Sequence, residues 1–201
     1  GYEADDILGT LAKHSEQQGL EVSLVSGDRD LLQLASEHIK IRIPKTKRTG
    51  TEIEDYYASD VKEKYQVTPT EFIDVKALMG DSADNIPGVP GIGEKTATNL
   101  ISAYGSIENA YEHIEEVKTP RAQNNLREHY DLAKMSKKLA TIEVNAPVEY
   151  DISKAALGNL FTPEAYVWMK KLEFKNMLNR FDLQTPSAHD PLSPAVFLLK
   201  L

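Results

Sequence analysis

Apolar residues recur at helical spacing near the start of the chain. The pattern predicts a helix over residues 2–18 that ends at Gly19. The apolar positions on its buried face are Ile7, Leu8, Leu11 and Ala12. The first turn of this helix carries three acids, Glu3, Asp5 and Asp6.

Two short runs after this helix are rich in β-branched residues. The run EVSLVS predicts a strand over residues 21–26, and IKIRI predicts a second strand over residues 39–43. The segment PKTKRTG that follows is interpreted as a basic turn. Asp28 and Asp30 come directly after the first strand, at the carboxyl end where open α/β sheets bind ligands.

Helical periodicity dominates the remainder of the chain, and Gly or Pro punctuates it. The predicted helices cover residues 55–65, 69–79, 94–104, 106–117, 120–141 and 163–181. The Pro-rich segment 184–201 lacks periodicity over most of its length and is predicted to be a linker or a disordered tail. We therefore divide the chain into an α/β part (1–66), a helical part (67–183) and this tail.

The predicted sheet is too small for an α/β domain with helices on both faces, because the central strands of such a sheet need neighbours on both sides. We expect the strand at 21–26 to be central in the intact domain, beside a strand that precedes Gly1. The chain also lacks an initiator Met. We therefore expect it to be an N-terminally truncated part of a longer domain.

Composition narrows the class of protein. A hydrophobic content of 41% supports a real core, and the absence of Cys excludes a disulfide scaffold or a thiolate zinc site. No membrane span or secretory signal is recognisable, which fits a cytoplasmic protein. The net charge of -8 means that any contact with nucleic acid must come from local patches.

Acidic residues gather in three clusters at the ends of predicted elements. Each cluster alone has a simpler interpretation as an acidic helix start or turn exposed to water. Carboxylates that share one pocket repel each other, and divalent cations supply the compensating charge. Oxygen ligands without His or Cys favour Mg²⁺ or Mn²⁺ over Zn²⁺, and two such ions can hydrolyse a phosphodiester. The candidates are Glu3, Asp5, Asp6, Asp28, Asp30, Asp81 and Asp84.

The segment GVPGIGEKTA lies directly after the last acidic cluster. It is not a Walker loop, because Glu94 separates Gly93 from Lys95 and a helical pattern precedes it. A Gly-rich turn between two helices is typical of a helix-hairpin-helix element, whose backbone N–H groups bind a DNA phosphate without reading bases. We expect positive φ and close phosphate approach at Gly91 and Gly93, with side-chain contacts from Lys95 and Thr96.

Three stretches, in this order and spacing, carry a resemblance to a known family: GYEADDILGTLA, VSGDRDLLQL and ALMGDSADNIPGVPGIGEKTATNLI. They resemble the 5′ nuclease domains of bacterial DNA polymerase I, which are relatives of the flap endonucleases. The resemblance covers about residues 1–183. It implies an α/β fold, with a partial PIN-like parallel-sheet nuclease core over 1–66 and a mostly helical region with a helix-three-turn-helix over 67–183.

The resemblance also implies residue roles and partners. The seven acids would form the metal-binding set, and the hairpin from Gly88 to Lys95 would hold duplex DNA, with K⁺ bound by the carbonyls of Val89 and Ile92. Substrates would be 5′ flaps, nicks or duplex ends of any sequence, and a polymerase domain would lie in the same full-length chain. The family's first strand with its metal-binding Asp, a further acid and a basic helical arch have no counterpart here.

Two alternatives stay open at this point. The first is a noncatalytic module that grips duplex DNA through the hairpin, because N-terminal metal ligands are missing. The second is a phosphatase of the haloacid dehalogenase type, because GDRD places Asp28 and Asp30 in an Asp-x-Asp pattern after a strand. In that reaction Asp28 would be the nucleophile, but the hairpin would have no function.

Overall fold

The computed structural model describes residues 1–48 and 50–183. Residues Gly1–Val148 form one compact unit, and Glu149 begins a second unit. The predicted division at residues 66 and 67 falls inside the first unit and stays a prediction, while the predicted tail at 184–201 lies outside the described residues.

The first unit contains a three-stranded mixed sheet. Helix α1 (Ala4–Gln17) leads into β1 (Val22–Val25), and a 3₁₀ helix (Asp30–Leu34) connects β1 to β2 (Ile39–Lys47). Strand β2 runs parallel to β1, with Val22 opposite Ile39, and antiparallel to β3 (Gly50–Tyr56). The order β1-β2-β3 leaves β1 at one edge of the described sheet. The α/β fold class is confirmed, and the further strand expected beside β1 stays a prediction.

The predicted basic turn at 44–50 is wrong. Pro44 to Lys47 continue β2, Gly50 begins β3, and the helix predicted from residue 55 begins only at Ala58. Ion pairs across this hairpin explain the error, because Lys45 lies 2.8 Å from Glu54 and Lys47 pairs with Glu52. Charged cross-strand pairs stabilise a sheet but produce no apolar alternation in the sequence.

Among the described residues, eight α-helices and two short 3₁₀ turns follow β3. The helices predicted at 69–79 and 94–104 are confirmed with the same bounds. None of the described helices combines the length and apolar content needed to cross a membrane. The helices after β3 are α2 (Ala58–Tyr65), α3 (Pro69–Met79), α4 (Glu94–Tyr104), α5 (Ile107–Glu112), α6 (Pro120–Glu128), α7 (Tyr130–Ala140), α8 (Pro163–Lys171) and α9 (Lys175–Leu183).

Local sequence signals explain why α3 begins and ends where it does. Thr68 Oγ1 accepts a hydrogen bond from the Glu71 N–H at 3.3 Å, and the Glu71 carboxylate accepts one from the Thr68 N–H at 2.7 Å. This capping box precedes Pro69 at the first helical position. The helix ends at Gly80, whose φ of +74° suits glycine.

Three predicted helices are shorter or divided. The helix predicted at 106–117 ends at Glu112 and continues as a 3₁₀ turn, Ile114–Glu116. His129 separates α6 from α7, and Glu173 with φ of +58° lies between α8 and α9. A break of one to three residues barely changes the apolar periodicity over a long window. The sequence pattern therefore predicts one longer helix in each of these three places.

Helix α3 lies at the centre of the first unit and is buried on most of its surface, including two charged residues, Asp74 and Lys76. Asp74 accepts a hydrogen bond from the Ile107 N–H at the start of α5 at 3.1 Å and lies 2.7 Å from Lys137 of α7. These contacts tie α3, α5 and α7 together, because a buried carboxylate must be paired.

A pH-dependent contribution to stability follows from Glu54 in β3. Hydrogen bonds from Lys45, Tyr56 and Lys64 lower the pKa of Glu54 to about 2. A lowered folded-state pKa stabilises the fold above the ordinary Glu value near 4.5, and this stabilisation is lost as pH falls toward 2. We expect Glu54→Gln to lower the melting temperature by a few degrees at pH 7 and to match the parent near pH 2. Glu115→Gln, on an exposed pair with Arg127, is the control. Equal melting temperatures at pH 7 would contradict the assignment.

Candidate metal centre and DNA-binding loop

Asp28 and Asp30 are positioned by a turn at the carboxyl end of β1. Ser26 Oγ accepts a hydrogen bond from the Asp28 N–H at 3.1 Å, and Asp28 Oδ1 accepts one from the Asp30 N–H at 2.9 Å. The 3₁₀ helix that begins at Asp30 buries Leu31, Leu32 and Leu34. Burial of these leucines draws Asp30 inward, whereas Asp28 stays exposed.

Asp81 and Asp84 lie on a short loop directly after α3. Asp81 and Ile86 exchange two backbone hydrogen bonds, at 2.9 and 2.7 Å, which close the loop at its base. Asp81 Oδ1 also accepts a hydrogen bond from the Ala83 N–H at 2.8 Å. Asp84 is therefore presented at the exposed end of a loop with a fixed base.

The structure brings these two segments together. Carboxylate oxygens of Asp30, Asp81 and Asp84 all lie within 4.8 Å of one another. The ammonium of Lys76 lies 2.7 Å from Asp30 Oδ1 and also pairs with the Asp81 carboxylate. Burial raises the pKa of Asp30 against the opposing effect of Lys76, and the hydrogen bond from Lys76 lowers the pKa of Asp81.

The acids of α1 border the same region. Burial, followed by the charges of nearby acids, chiefly Asp28 and Asp30, raises the pKa of Asp5 to about 6. The carboxylates therefore repel one another in the absence of cations. One cavity of about 700 Å³ is lined by six of the seven candidates, namely Glu3, Asp5, Asp6, Asp28, Asp30 and Asp84. Asp81 lines an adjoining cavity of about 420 Å³, which shares Asp28, Asp30 and Asp84 with the first.

The seven acids are not equivalent. Asp6 accepts hydrogen bonds from the backbone N–H groups of Glu3 and Glu143, each at 2.9 Å, so it fixes the start of α1 and a distant loop. Glu3 is exposed, and Asp5 is half-buried. Metal binding by any of the seven stays a prediction, and Asp30, Asp81 and Asp84 form the tightest group.

Sequence reasoning missed Lys76, which is only 7% exposed. The sequence does contain a signal for a buried lysine, because Lys76 lies four residues after Phe72 and thus on the buried face of a predicted helix. A charge on a buried helix face needs a partner of opposite charge. Asp30 and Asp81 are those partners.

The donor set suits a hard divalent cation. The close group consists of three carboxylates, which offer oxygen ligands from a loop and a strand end. Mg²⁺ and Mn²⁺ prefer such oxygen ligands and are commonly held by a few carboxylates. The residues therefore fit the predicted divalent metal.

The Gly-rich loop begins where the acidic loop ends. Gly88 has φ of +65°, its N–H donates to Ser136 Oγ at 3.1 Å, and a Cβ there would lie 2.5 Å from the nitrogen of Gly80. Gly91 also has positive φ, at +75°. The expectation of positive φ at Gly93 is wrong, because Gly93 has φ of -94° as the residue before α4.

The loop exposes some candidate residues and buries others. Val89 and Ile92 are buried, and the Ile92 N–H donates to the Val89 carbonyl at 3.0 Å. Gly91, Gly93 and Lys95 are exposed, while Thr96 is half-buried in the first turn of α4. The exposed residues can meet a phosphate, whereas the K⁺ site at Val89 and Ile92 stays a prediction.

Comparison with known families identifies the class of protein. Residues 1–66 match the model described as 5′-3′ exonuclease, N-terminal resolvase-like domain, and residues 67–161 match 5′-3′ exonuclease, C-terminal SAM fold. The chain belongs to the 5′-3′ exonuclease family. The resemblance found in the three sequence stretches is thereby confirmed.

The similar curated proteins are bacterial DNA polymerases I. Identity is 45% over 198 residues to the enzyme of Bacillus caldotenax, 44% over 192 residues to that of Bacillus subtilis, and 40% over 185 residues to the thermostable enzyme of Thermus thermophilus. These matches cover 98%, 96% and 91% of this chain. The chain spans only 22%, 22% and 21% of those relatives.

Solved structures show the same fold. Zinc-bound T5 5′-exonuclease is 28% identical, with a TM-score of 0.61 over 71% of this chain and 51% of that chain. A bacteriophage T5 flap endonuclease complex with DNA and metal ions is 27% identical, with a TM-score of 0.59 over 72% of this chain and 50% of that chain. The catalytic core of Rad2 shares the fold alone, at 14% identity and a TM-score of 0.57 over 89% of this chain and 60% of that chain.

The Lys76 ion pairs lead to a prediction about the metal-free protein. Lys76→Met leaves Asp30 and Asp81 without their shared cation, and loss of one partner of a buried pair costs about 3–5 kcal/mol. We expect a loss of this size in urea unfolding with EDTA and a smaller loss with saturating Mg²⁺, which replaces the missing positive charge. Lys134→Met, in a half-exposed pair with Asp131, is the control and should change stability by at most about 1 kcal/mol. Unchanged stability of Lys76→Met in EDTA would show that the pairs contribute nothing.

Proposed function

We propose that this chain provides the catalytic part of a structure-selective 5′ nuclease, a 5′ to 3′ exonuclease and 5′ flap endonuclease of DNA replication and repair. The observation that carries the proposal is the convergence of acids from α1, the β1 turn and the loop after α3, directly beside the Gly-rich loop. Membership of the 5′-3′ exonuclease family also supports hydrolysis of DNA phosphodiesters by this chain. It also argues against the haloacid dehalogenase alternative.

Asp30, Asp81 and Asp84 are the residues that would hold the first Mg²⁺ or Mn²⁺, since their oxygens already lie together. Asp5 and Asp28 line the cavity of about 700 Å³ together with Asp30 and Asp84 and would complete the site for a second ion. Bound divalent ions would activate water for in-line attack on the phosphodiester and stabilise the leaving oxygen. Lys76 holds Asp30 and Asp81 in place, and Asp6 fixes the helix that carries Asp5.

The Gly-rich loop would hold the duplex part of the same substrate. Gly91 and Gly93 offer exposed backbone, Lys95 adds an exposed cation, and Thr96 contributes a hydroxyl, so these contacts read no bases. K⁺ at the carbonyls of Val89 and Ile92 belongs to this proposal, as do preference for 5′ flaps, a polymerase domain in the same full-length chain and a cytoplasmic location. The T5 flap endonuclease relative is a complex with DNA and metal ions, which supports binding of both by this chain.

Replacement of one metal-site acid tests the catalytic proposal. Asp84 is exposed and forms no ion pair within 4 Å among the described residues, so Asp84→Asn removes a ligand without disturbing Lys76. We expect cleavage of a 5′-flap duplex with Mg²⁺ to fall at least about a hundredfold, the usual cost of misplaced reacting groups, while duplex binding persists. Asp131→Asn, on the exposed surface of α7, should cleave like the parent.

The same assay separates the remaining alternative. A parent chain that binds duplex DNA but does not cleave it with Mg²⁺ or Mn²⁺ would favour the noncatalytic DNA-binding module. Equal cleavage rates of Asp84→Asn and the parent would show that Asp84 is not part of the metal site.

Two glycines with the same backbone conformation test the loop. Gly91 and Gly19 both have φ between +75° and +79°, so alanine strains both backbones similarly. Only Gly91 lies in the loop, where a Cβ would also meet Asn125 Nδ2 at 2.8 Å. We expect Gly91→Ala to weaken duplex binding about tenfold, the effect of 1.4 kcal/mol, and Gly19→Ala to leave it unchanged. Equal affinities of the two variants would contradict the loop assignment.

A further inference from the structure

A continuous groove joins the acid cluster to the Gly-rich loop. The cavity of about 420 Å³ that contains Asp30, Asp81 and Asp84 extends to Tyr65, Glu94 and Thr98. A neighbouring cavity of about 380 Å³ has the same three residues in its wall and reaches Lys95. We call this combined depression the connecting groove. Both cavities are within the first compact unit.

Arg29 lines the connecting groove without pairing with the acids on either side of it in sequence. Its Nη2 donates to the Tyr65 hydroxyl at 3.2 Å, and its Cζ lies 5.7 Å from the centre of the Tyr65 ring. Among the side chains that the structure describes, no carboxylate oxygen lies within 4 Å of the Arg29 guanidinium nitrogens. An exposed guanidinium is thus held in the groove with its remaining donors available.

Tyr65 is itself firmly anchored. Its ring makes an edge contact with Phe72 at a centroid distance of 5.3 Å and a tilted contact with Tyr56 at 6.2 Å. These rings belong to α3 and β3, so the Tyr65 hydroxyl has a fixed place at the end of α2. Arg29 therefore loses little further side-chain entropy when it binds an anion.

Two other cationic side chains near the groove already form ion pairs. Lys76 is paired with Asp30 and Asp81, and Lys64 lies 2.9 Å from Glu54. Arg29 and Lys95 are the groove cations without a carboxylate within 4 Å in the part of the chain that the structure describes. A planar guanidinium with several free donors matches a phosphate group well.

We propose that Arg29 binds a backbone phosphate of the DNA strand that crosses the connecting groove, between the cleaved bond and the duplex held by the Gly-rich loop. This inference rests on the proposed function and adds a positioning residue to it. The acids repel a DNA strand, and a cation fixed beside them offsets that repulsion at one phosphate. Arg29 thereby sets where the strand lies relative to the metal centre.

The test measures DNA affinity without cleavage, by fluorescence anisotropy of a 5′-flap duplex in EDTA at several salt concentrations. We expect Arg29→Met to weaken binding about tenfold or more, as for the loss of a charged hydrogen bond. The slope of log affinity against log salt should decrease by about 0.9, the value for one phosphate contact. Arg29→Lys should restore the slope, because it restores the charge. Arg127→Met, which removes an exposed arginine paired with Glu115, should bind like the parent.

Two further arms separate phosphate binding from a structural effect. Tyr65→Phe removes the hydroxyl that positions Arg29, and we expect weaker binding with an unchanged salt slope. Single methylphosphonate substitutions along the flap strand should include one position that weakens DNA binding by the parent but not by Arg29→Met. The variant already lacks the contact to that phosphate, so neutralising it has no further effect.

The possible outcomes are distinct. A parent that binds duplex DNA, together with an Arg29→Met variant of equal affinity and equal slope, would overturn the assignment of Arg29 and leave the proposed function standing. Absence of any methylphosphonate position with a nonadditive effect would also overturn it. A parent that fails to bind duplex DNA would overturn the proposed function and this inference together.

Discussion

The candidate site depends on one buried ammonium. Lys76 projects from the last turn of α3 and joins Asp30, which follows β1, to Asp81, which follows α3 itself. Burial of a lysine is unfavourable unless it is paired, and burial of neighbouring carboxylates is unfavourable for the same reason. Each partner therefore makes the burial of the others tolerable. The sheet and the helical segments meet at this charged contact rather than only at apolar surface.

A second constraint couples the acidic loop to the Gly-rich loop. Gly80 and Gly88 lie so close that a Cβ on Gly88 would be 2.5 Å from the Gly80 nitrogen, and the Val89 N–H donates to the Leu78 carbonyl at 2.8 Å. The segment that carries Asp81 and Asp84 is therefore closed at both ends by backbone contacts. Because the same contacts fix the start of the Gly-rich loop, the acids and that loop are held as one piece.

Sequence reasoning succeeded where local signals were strong. The bounds of α3 follow from a capping box, Pro69 and Gly80, and the acids were recognisable because each cluster falls at the end of an element. It failed at β3, where Glu52 and Glu54 pair with lysines across the hairpin and conceal the strand pattern. It also failed at His129 and Glu173, where single backbone conformations interrupt helices.

Tertiary relations were harder to obtain from sequence than local structure. No sequence rule could show that Asp6 accepts a hydrogen bond from the Glu143 N–H, because 137 positions separate the two residues. The pairing of Lys76 with Asp30 depends on how α3 packs against the 3₁₀ helix. Positive φ at Gly93 was expected from residue type, but position before α4 determined its extended backbone.

In the proposed nuclease, the acid cluster and the Gly-rich loop would contribute differently to substrate binding. Burial, followed by the charges of neighbouring acids, raises the pKa of Asp5 to about 6, and this cluster of carboxylates repels a phosphate. The Gly-rich loop would bind the duplex through backbone groups and Lys95, which carry no such penalty. Duplex binding at the loop and the phosphate contact of Arg29 would therefore need no divalent cation, whereas entry of the cleaved phosphate among the acids would need the positive charge that Mg²⁺ or Mn²⁺ supplies. Divalent cations would thus control where the cleaved phosphate lies as well as the chemistry performed on it.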